Sequence, residues 1–397
     1  MKHVLRAVLA ATLLAAVTAG SLQAMPAFAR KYNMSCKTCH APFPKLKPYG
    51  DEFAGNGFVI KDKPTPRYNI DTGDPLLSLL RDVPIAFRLE GYLNYNNEDS
   101  RTVDFAAPHL LKIISGGELF KNVAYYFYFF FSEKGEIAGI EDAFVMFNDL
   151  FHSDLDLYVG QFQVADPLFK REIRLPYEDY VIYGAKPGAS TVDLTYDRGL
   201  MLTYGFGTGT DVTLEVVNGN GIGEGNIFNN FDQDKYKNLM LRVSQDVVPA
   251  LRVGAFGYTG KEQPEEIVNP EEIVNSVWMA GGDATVNFAP FELNLQYLER
   301  RDTNPFFATI LPLEKVATRG GFAELIYRPK GDDGRWYGAG LFNWVDSDQV
   351  ELRYTAATAH TGYLLRRNLR LIVEATYVFE GLAADYLRLG TGLVLGF

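Results

Sequence analysis

Residues 35–40 read Ser-Cys-Lys-Thr-Cys-His, and Cys36 and Cys39 are the only two cysteines of the 397-residue chain. The spacing Cys-x-x-Cys-His is typical of covalent haem attachment. Two thiols at this spacing can add to the two vinyl groups of one haem, and the adjacent imidazole is then placed to ligate the iron. The motif therefore predicts one covalently bound haem c, with Cys36 and Cys39 as thioether anchors and His40 as proximal ligand.

Three other uses of the cysteine pair were weighed against haem attachment. A redox Cys-x-x-Cys is expected at a helix start in a βαβ context, and no such pattern follows. A structural zinc site needs about four ligands, but residues 41–108 contain neither Cys nor His. A simple disulfide would leave His40 without a role, so haem c is the preferred interpretation.

The first 29 residues are predicted to be a secretory signal peptide. Lys2 and Arg6 precede an apolar core at residues 7–19, which is too short to span a membrane. Ala27-Phe28-Ala29 supplies a cleavage pattern, and a cut after Ala24 is the alternative. Export agrees with covalent haem attachment, which belongs outside the inner membrane.

The composition favours a β-barrel of the outer membrane. The chain has 23 tyrosines, 28 phenylalanines, 37 glycines and a net charge of −11. This aromatic, glycine-rich and acidic pattern is typical of such barrels, although a periplasmic β-sandwich remains a rival. The longest apolar run has only nine residues, at 123–131, so no transmembrane helix is predicted. The negative charge disfavours nucleic acid as a partner and favours cations.

Residues 30–83 are predicted to form a short monohaem cytochrome c segment. Six prolines interrupt it, so it should hold only short helical and irregular pieces. Its apolar residues are too few for an independent core, except around a bound haem. The segment is therefore expected to lean on, or plug, the domain that follows.

Residues 84–397 are predicted to form a porin-like transmembrane barrel. Apolar and polar residues alternate, as in residues 291–297 and 369–379, and sixteen such strands can be counted from residue 85 onward. An even number of strands of about ten residues suits a closed antiparallel barrel. Connections after even-numbered strands are short, whereas long ones are predicted at 96–105, 164–193, 219–235, 260–276 and 302–317.

The connection at residues 164–193 is the longest. A long loop after the fifth strand can fold into the lumen of a porin and narrow it. The alternative is a solvated surface loop, and the sequence does not decide between them.

The distal ligand of the haem iron is not specified by the motif. Residues 41–108 contain neither Met nor His, and Met34 lies on the attachment side. By strand parity with charged residues, three methionines should point into the lumen. The candidates are Met201, Met240, Met279 and His109, with His152 and His360 as further histidines. An amine at the mature N-terminus or an empty sixth position are the alternatives.

Residues 28–60 resemble the outer-membrane monohaem cytochrome–porin fusions, whose best-known members are proposed iron oxidases of iron-oxidising bacteria. The matching positions are Phe28-Ala29-Arg30, the motif at 36–40, Phe43-Pro44-Lys45-Leu46, Gly50, Phe53 and Asn56-Gly57-Phe58. The resemblance implies a haem held in or under the barrel and electron transfer across the outer membrane. Related proteins also occur in organisms not known for iron oxidation, so the electron donor does not follow from the family.

These observations lead to three hypotheses of function. The first is single-electron transfer across the outer membrane, between an extracellular donor or acceptor such as Fe²⁺ and periplasmic c-type cytochromes. If this is an enzymatic activity, it is that of an Fe²⁺:cytochrome c oxidoreductase. The second is a diffusion porin with a haem-bearing plug or redox gate. The third is a periplasmic haem enzyme or sensor with an open sixth site.

Overall fold

The computed structural model describes most of the chain from residue 27 onward. The described residues are 27–42, 44–60, 69–70, 73–74, 76–77, 79–80, 83–98, 102–169, 173, 175, 177–232, 234–264, 273–310, 313–383 and 385–397. The predicted signal peptide therefore lies outside the described residues, apart from residues 27–29. In the described part of the chain, no helix has the length and apolar character needed to cross a membrane.

The N-terminal segment contains two short helices, α1 (Ala27–Tyr32) and α2 (Pro48–Gly55). Between them lies a single 3₁₀ turn, Cys36–Thr38. A proline suits the first turn of α2 because its missing N–H would have no partner inside the helix there. A two-residue ladder pairs Asn69–Ile70 with Leu79–Leu80.

The rest of the chain forms one closed barrel of sixteen antiparallel strands, as predicted. Each strand pairs with its sequence neighbours, and β16 pairs with β1 to close the sheet. The strands are β1 (Ile85–Asn96), β2 (Thr102–Phe120), β3 (Val123–Glu133), β4 (Gly139–Leu150), β5 (Leu155–Gln163), β6 (Tyr196–Phe206), β7 (Thr210–Val217), β8 (Asn238–Val248), β9 (Leu251–Glu262), β10 (Asn275–Phe288), β11 (Phe291–Asp302), β12 (Val316–Tyr327), β13 (Trp336–Ser347), β14 (Tyr354–Arg366), β15 (Leu369–Glu380) and β16 (Tyr386–Gly396).

The alternation of side chains gives the barrel an apolar outside and a filled inside. Along β8, Leu239, Leu241 and Val243 are exposed, whereas Met240 and Arg242 between them are buried in the lumen. An apolar exterior on a closed barrel is suited to lipid, because every backbone group within the membrane is paired inside the sheet. The barrel is therefore placed in the outer membrane, with the lipid bilayer as its surroundings.

The two ends of the barrel differ in their connections, as predicted. Residues 207–209, 249–250, 289–290 and 367–368 are short turns at one end, and residues 164–195, 218–237 and 303–315 are long connections at the other. The predicted long connection at 96–105 is wrong. Thr102 pairs with Asn96, and Phe105 with Leu93, so the hairpin continues and only residues 97–101 connect the strands.

Inside the lumen, Arg242 of β8 and Asp283 of β10 form a buried ion pair. The guanidinium donates from Nη2 to Oδ1 at 2.6 Å and from Nε to Oδ2 at 3.3 Å. Arg319 and Asp346 form a comparable pair between β12 and β13, but on the exposed side of the wall. The two pairs therefore differ mainly in burial.

We expect Arg242→Ala to lower the free energy of unfolding by about 3–5 kcal/mol, because it leaves the buried Asp283 carboxylate without its cation. Arg319→Ala, the matched control, should change stability little, because the pair is exposed and Asp346 keeps Arg353 as a partner at 3.6 Å. Urea unfolding of the detergent-solubilised barrel, followed by tryptophan fluorescence, measures both. Equal losses in the two variants would contradict the assignment of the lumen as a dry interior.

Candidate functional site

The Cys36–His40 stretch is held in one conformation by its own backbone. The N–H groups of Thr38 and His40 donate to the carbonyls of Ser35 and Cys36, each at 2.9 Å. The Lys47 N–H donates to the Cys39 carbonyl at 2.8 Å, which ties the motif to the start of α2. Both thiols and the imidazole thus project from a compact, hydrogen-bonded loop.

The His40 imidazole is held by backbone carbonyl groups. Its Nδ1 lies 2.6 Å from the Pro44 carbonyl oxygen, and only a protonated Nδ1 can donate to a carbonyl. Histidines that bind metals are commonly oriented by such a partner. Burial lowers the pKa of His40, which favours the neutral imidazole that binds iron.

Cys36 and Cys39 form no disulfide, and burial raises the pKa of both thiols.

The three motif residues line one large cavity of about 720 Å³ in the lumen. This volume lies within the range of cofactor pockets, roughly 300–1,000 Å³. The other walls come from both helices, from the lumen face of β1–β7 and from the connection after β5, and include Phe53, Phe58, Tyr126, Met146, Phe162, Tyr180 and Tyr183. A mainly apolar cavity beside two thiols and an oriented imidazole fits a covalently attached haem.

An aromatic cluster holds one side of the segment against the barrel wall. Phe28 stacks on Phe58 at 4.7 Å between ring centroids, and Phe58 stacks on Tyr126 of β3 at 5.6 Å. Asn148 of β4 donates to the Gly55 carbonyl at 2.6 Å. Of the two cleavage sites considered, only the one after Ala24 retains Phe28 in this cluster.

Polar contacts hold the opposite side of the segment to the short-turn end of the barrel. Lys45 pairs with Glu292 of β11 at 3.1 Å, and Lys47 pairs with Asp332 in the β12–β13 turn at 2.5 Å. Arg328 donates to the Ala41 carbonyl at 2.9 Å. The segment therefore bridges the short-turn end of the lumen.

The predicted distal ligands fall into two groups. Met201 lines the cavity with Cys36 and His40. Met240 and Met279 do point into the lumen, but they are packed in an apolar core and do not line the cavity. His109 lies against Tyr92, at 4.9 Å between ring centroids, and does not line it either.

Two further methionines line the cavity, Met34 before the motif and Met146 on β4. Met146 is buried among Phe53, Phe58 and Ala124. Met146 was not among the predicted ligands, although its parity with the buried Asp142 on the same strand indicates a side chain that points into the lumen. The structure thus brings Met34, Met146 and Met201 to the cavity, and the distal ligand stays a prediction.

His152 and His360 have other surroundings. His152 lies in the β4–β5 turn, where a short turn was predicted. The buried His360 is hydrogen-bonded through both ring nitrogens, to Tyr337 at 3.1 Å and to Glu374 at 2.9 Å. Neither residue lines the cavity.

The long connection at residues 164–195, hereafter the lumen loop, folds into the barrel, so the surface-loop alternative is wrong. Its Tyr180 stacks on Phe322 of β12 at 3.8 Å between ring centroids. Arg300 of β11, which is buried, donates to the Ala185 carbonyl at 2.9 Å and to the Val192 carbonyl at 2.5 Å. The loop is therefore fixed to the wall opposite its own strands.

A second set of contacts fixes the first half of the lumen loop. Glu178 accepts hydrogen bonds from Asn343 at 2.9 Å and from the Tyr354 hydroxyl at 2.6 Å. Arg370 donates to the Ile173 carbonyl at 3.2 Å. These contacts reach β13, β14 and β15, so the loop spans the lumen.

Together the lumen loop and the wall form a continuous apolar core inside the barrel. A water-filled porin has a polar interior. Here buried apolar side chains meet across the lumen, from the loop (Val164, Leu168, Ile173, Tyr180, Ile182, Tyr183, Val192, Leu194) and from the strands (Met201, Met240, Tyr258, Met279, Leu298, Phe322, Leu341, Val345). This packing fills part of the lumen on the side of the cavity away from the Cys36–His40 motif.

Comparison with solved structures agrees with this fold. OmpT of Vibrio cholerae matches 80% of this chain and 99% of its own, with a TM-score of 0.55 and 9% identity. The outer-membrane channel DcaP of Acinetobacter baumannii matches 80% and 97%, at 0.54 and 12%. Salmonella typhi OmpF, in a complex with daunomycin, matches 79% and 97%, at 0.53 and 11%. In each case the likeness is to the barrel architecture.

Neither the protein-family models nor the curated proteins give a match to this chain. Among the described residues, no group of three or more His, Cys, Asp or Glu side chains is arranged to hold a metal ion.

We expect Arg300→Ala to raise ion conductance in planar bilayers several-fold, because the lumen loop loses its buried donors and the side chain of Asp302 loses its cation. Arg301→Ala is the matched control. Arg301 is the next residue, is exposed and pairs only with Glu299 among the described ion pairs, so its loss should leave conductance at the wild-type level. A wild-type protein that already conducts like an open porin would contradict the closed lumen.

Proposed function

We propose that this protein is an outer-membrane c-type cytochrome built into a closed barrel. It transfers single electrons across the outer membrane between an extracellular donor or acceptor and periplasmic c-type cytochromes. The observation that carries the proposal is the position of Cys36, Cys39 and His40 on one cavity inside a barrel whose lumen is packed. The resemblance to cytochrome–porin fusions supports the same assignment and adds Fe²⁺ as a candidate donor.

The residues present suit one haem. Cys36 and Cys39 would hold it through thioether bonds, and His40 would ligate its iron through Nε2. When bound, the haem supplies a one-electron carrier. The chain supplies its orientation through the Pro44 hydrogen bond, and its insulation from water through the apolar walls.

A closed barrel can hold an electron carrier within the apolar part of the membrane. The apolar band of such a barrel is about 25 Å tall, and a carrier below it could not bridge that distance. The cavity begins at the haem segment near the short turns and reaches Tyr180 and Tyr183 of the lumen loop. A carrier in this cavity would therefore lie within the lumen rather than below the membrane.

The second candidate is a diffusion porin in which the haem segment is a plug or redox gate. The likeness to the outer-membrane channel DcaP favours it, although that likeness concerns the fold alone. The apolar packing between the lumen loop and β12 opposes a solute path.

Electron transfer can be measured across lipid vesicles that carry the purified protein. Ferric cytochrome c is trapped inside, ferrous–EDTA is added outside, and reduction of the trapped cytochrome is followed by absorbance. We expect reduction to be at least ten-fold faster than in empty vesicles. The Cys36→Ser/Cys39→Ser double variant should fall to the empty-vesicle rate, because it cannot anchor the haem.

Release of co-trapped glucose separates conduction of electrons from leakage of solutes. If the wild-type protein and the double variant give equal reduction rates and both release glucose, the diffusion-porin hypothesis is favoured over the cytochrome hypothesis. A wild-type rate equal to that of empty vesicles would refute transmembrane electron transfer.

Haem attachment should depend on the close approach of α2 to the motif. A Cβ atom at Gly50 would lie 2.5 Å from the Cys39 carbonyl oxygen, whereas one at Gly55 would meet no atom within 4 Å. We expect Gly50→Ala to reduce the fraction of chains with covalent haem several-fold, because the motif must shift. Gly55→Ala, on the same helix, should leave that fraction unchanged. Haem per protein, from the alkaline pyridine spectrum, measures both, and equal loading would contradict the packing argument.

A further inference from the structure

Four polar side chains form a hydrogen-bonded chain inside the barrel, beyond the cavity walls. They are Tyr337 of β13, His360 of β14, and Arg370 and Glu374 of β15, and each is at most 4% exposed. His360 lies directly opposite Glu374 in the strand register. Gly362 makes room for the Tyr337 ring, because a Cβ atom there would lie 2.3 Å from it. We refer to these four residues as the lumen relay.

The two ends of the relay have fixed roles. Arg370 has only donors, and it donates to the Tyr337 hydroxyl oxygen at 2.5 Å. At the other end, His360 Nδ1 donates to Glu374 Oε2 at 2.9 Å, and Nε2 lies 3.1 Å from the Tyr337 hydroxyl, which donates to a neutral imidazole and accepts from an imidazolium. The Tyr177 N–H of the lumen loop donates to the other carboxylate oxygen at 3.0 Å. His360 therefore lies between a hydroxyl group and a carboxylate.

The charged and titratable groups around His360 come from three sides. Tyr337 faces it from β13, Arg370 and Glu374 from β15, and Tyr177 from the lumen loop. Arg88 of β1 is close enough to influence Tyr337 and His40, and it is paired with Glu90. The carboxylate of Glu374 is the group that would stabilise an imidazolium at His360.

Tyr337, in the middle of the relay, lies next to the Cys36–His40 motif. Tyr337 lines a small pocket of about 10 Å³ together with Cys36 and His40, and this is roughly the space of one water molecule. Lys37 and Asp332 line the same pocket, and their side chains are 46% and 45% exposed. The pocket is therefore bordered both by the buried Tyr337 and by side chains that are exposed at the short-turn end.

Ionisable side chains within a membrane protein are costly, and they commonly mark proton or ion pathways. An electron that enters the lumen adds a charge that buried surroundings screen less than bulk water does. A histidine beside a carboxylate can take up a compensating proton, and Glu374 favours this at His360 whereas Arg370 opposes it.

We propose that His360 is a proton-accepting site whose protonation accompanies reduction of the haem. His360 takes up one proton from the aqueous phase at Nε2 and becomes imidazolium, which then donates to the Tyr337 hydroxyl oxygen. The electron comes from the external one-electron donor, so one proton enters for each electron. This inference rests on the proposed function.

The test is the midpoint potential of the haem in the purified full-length protein, titrated between about pH 5 and 8. In the wild-type protein the potential should fall as pH rises, by up to about 59 mV per pH unit, the equivalent of a tenfold change for one electron. The sign follows because the reduced state binds the extra proton. His360→Gln should abolish this slope, and His109→Gln, the matched control, should retain it.

A second variant tests the proposal independently, in case His360→Gln does not fold. Glu374→Gln keeps the shape of the relay but removes the charge that stabilises the imidazolium, so the sloping region should move to lower pH. Migration of the unheated protein on gels verifies that each barrel is folded. A wild-type potential independent of pH, or an unchanged slope in His360→Gln, would overturn the inference while leaving the cytochrome intact. Absence of covalent haem would instead refute the proposed function.

Discussion

Closure of the sixteen-stranded sheet is the constraint on which the rest of this molecule depends. Within lipid every backbone N–H and C=O must be paired, and only a closed barrel does this with strands. The pairing of β16 with β1 completes the ring and fixes a lumen far wider than the wall side chains can fill, since eight strands already suffice for a packed interior. The remaining space must therefore be filled from outside the sheet.

Two insertions fill it from opposite ends, and the cavity lies between them. The segment that carries Cys36, Cys39 and His40 docks at the short-turn end through Phe58 on one side and Lys45 on the other. The lumen loop crosses from β5 to the far wall, where Arg300 satisfies its carbonyl groups. Since these carbonyls are buried, their pairing is required rather than optional. The cavity thus owes its boundaries to polar contacts as much as to apolar packing.

Period-two patterning and the motif predicted most of the architecture from sequence. Strand parity placed Met240 and Met279 in the lumen correctly, because parity depends only on local backbone geometry. Parity does not tell how deep a side chain lies or what packs on it, so it did not distinguish these buried methionines from Met201 at the cavity. The lumen relay could not be predicted from the sequence either. It depends on the register of three strands and on a loop that joins them from elsewhere in the chain.

The packing that excludes solutes also changes how charge must be balanced inside the barrel. In an open, water-filled pore, mobile ions would screen an electron that arrives on a carrier. In this lumen the apolar core between the lumen loop and the wall reduces that space to the cavity, so groups already in place and protons would contribute to the compensation. Arg370 and Glu374 carry charges of opposite sign at the two ends of the relay. His360 lies between them as the group that can change its charge. In the proposed cytochrome, the filled part of the lumen and the buried His360 would therefore serve one physical requirement, the balance of the added charge.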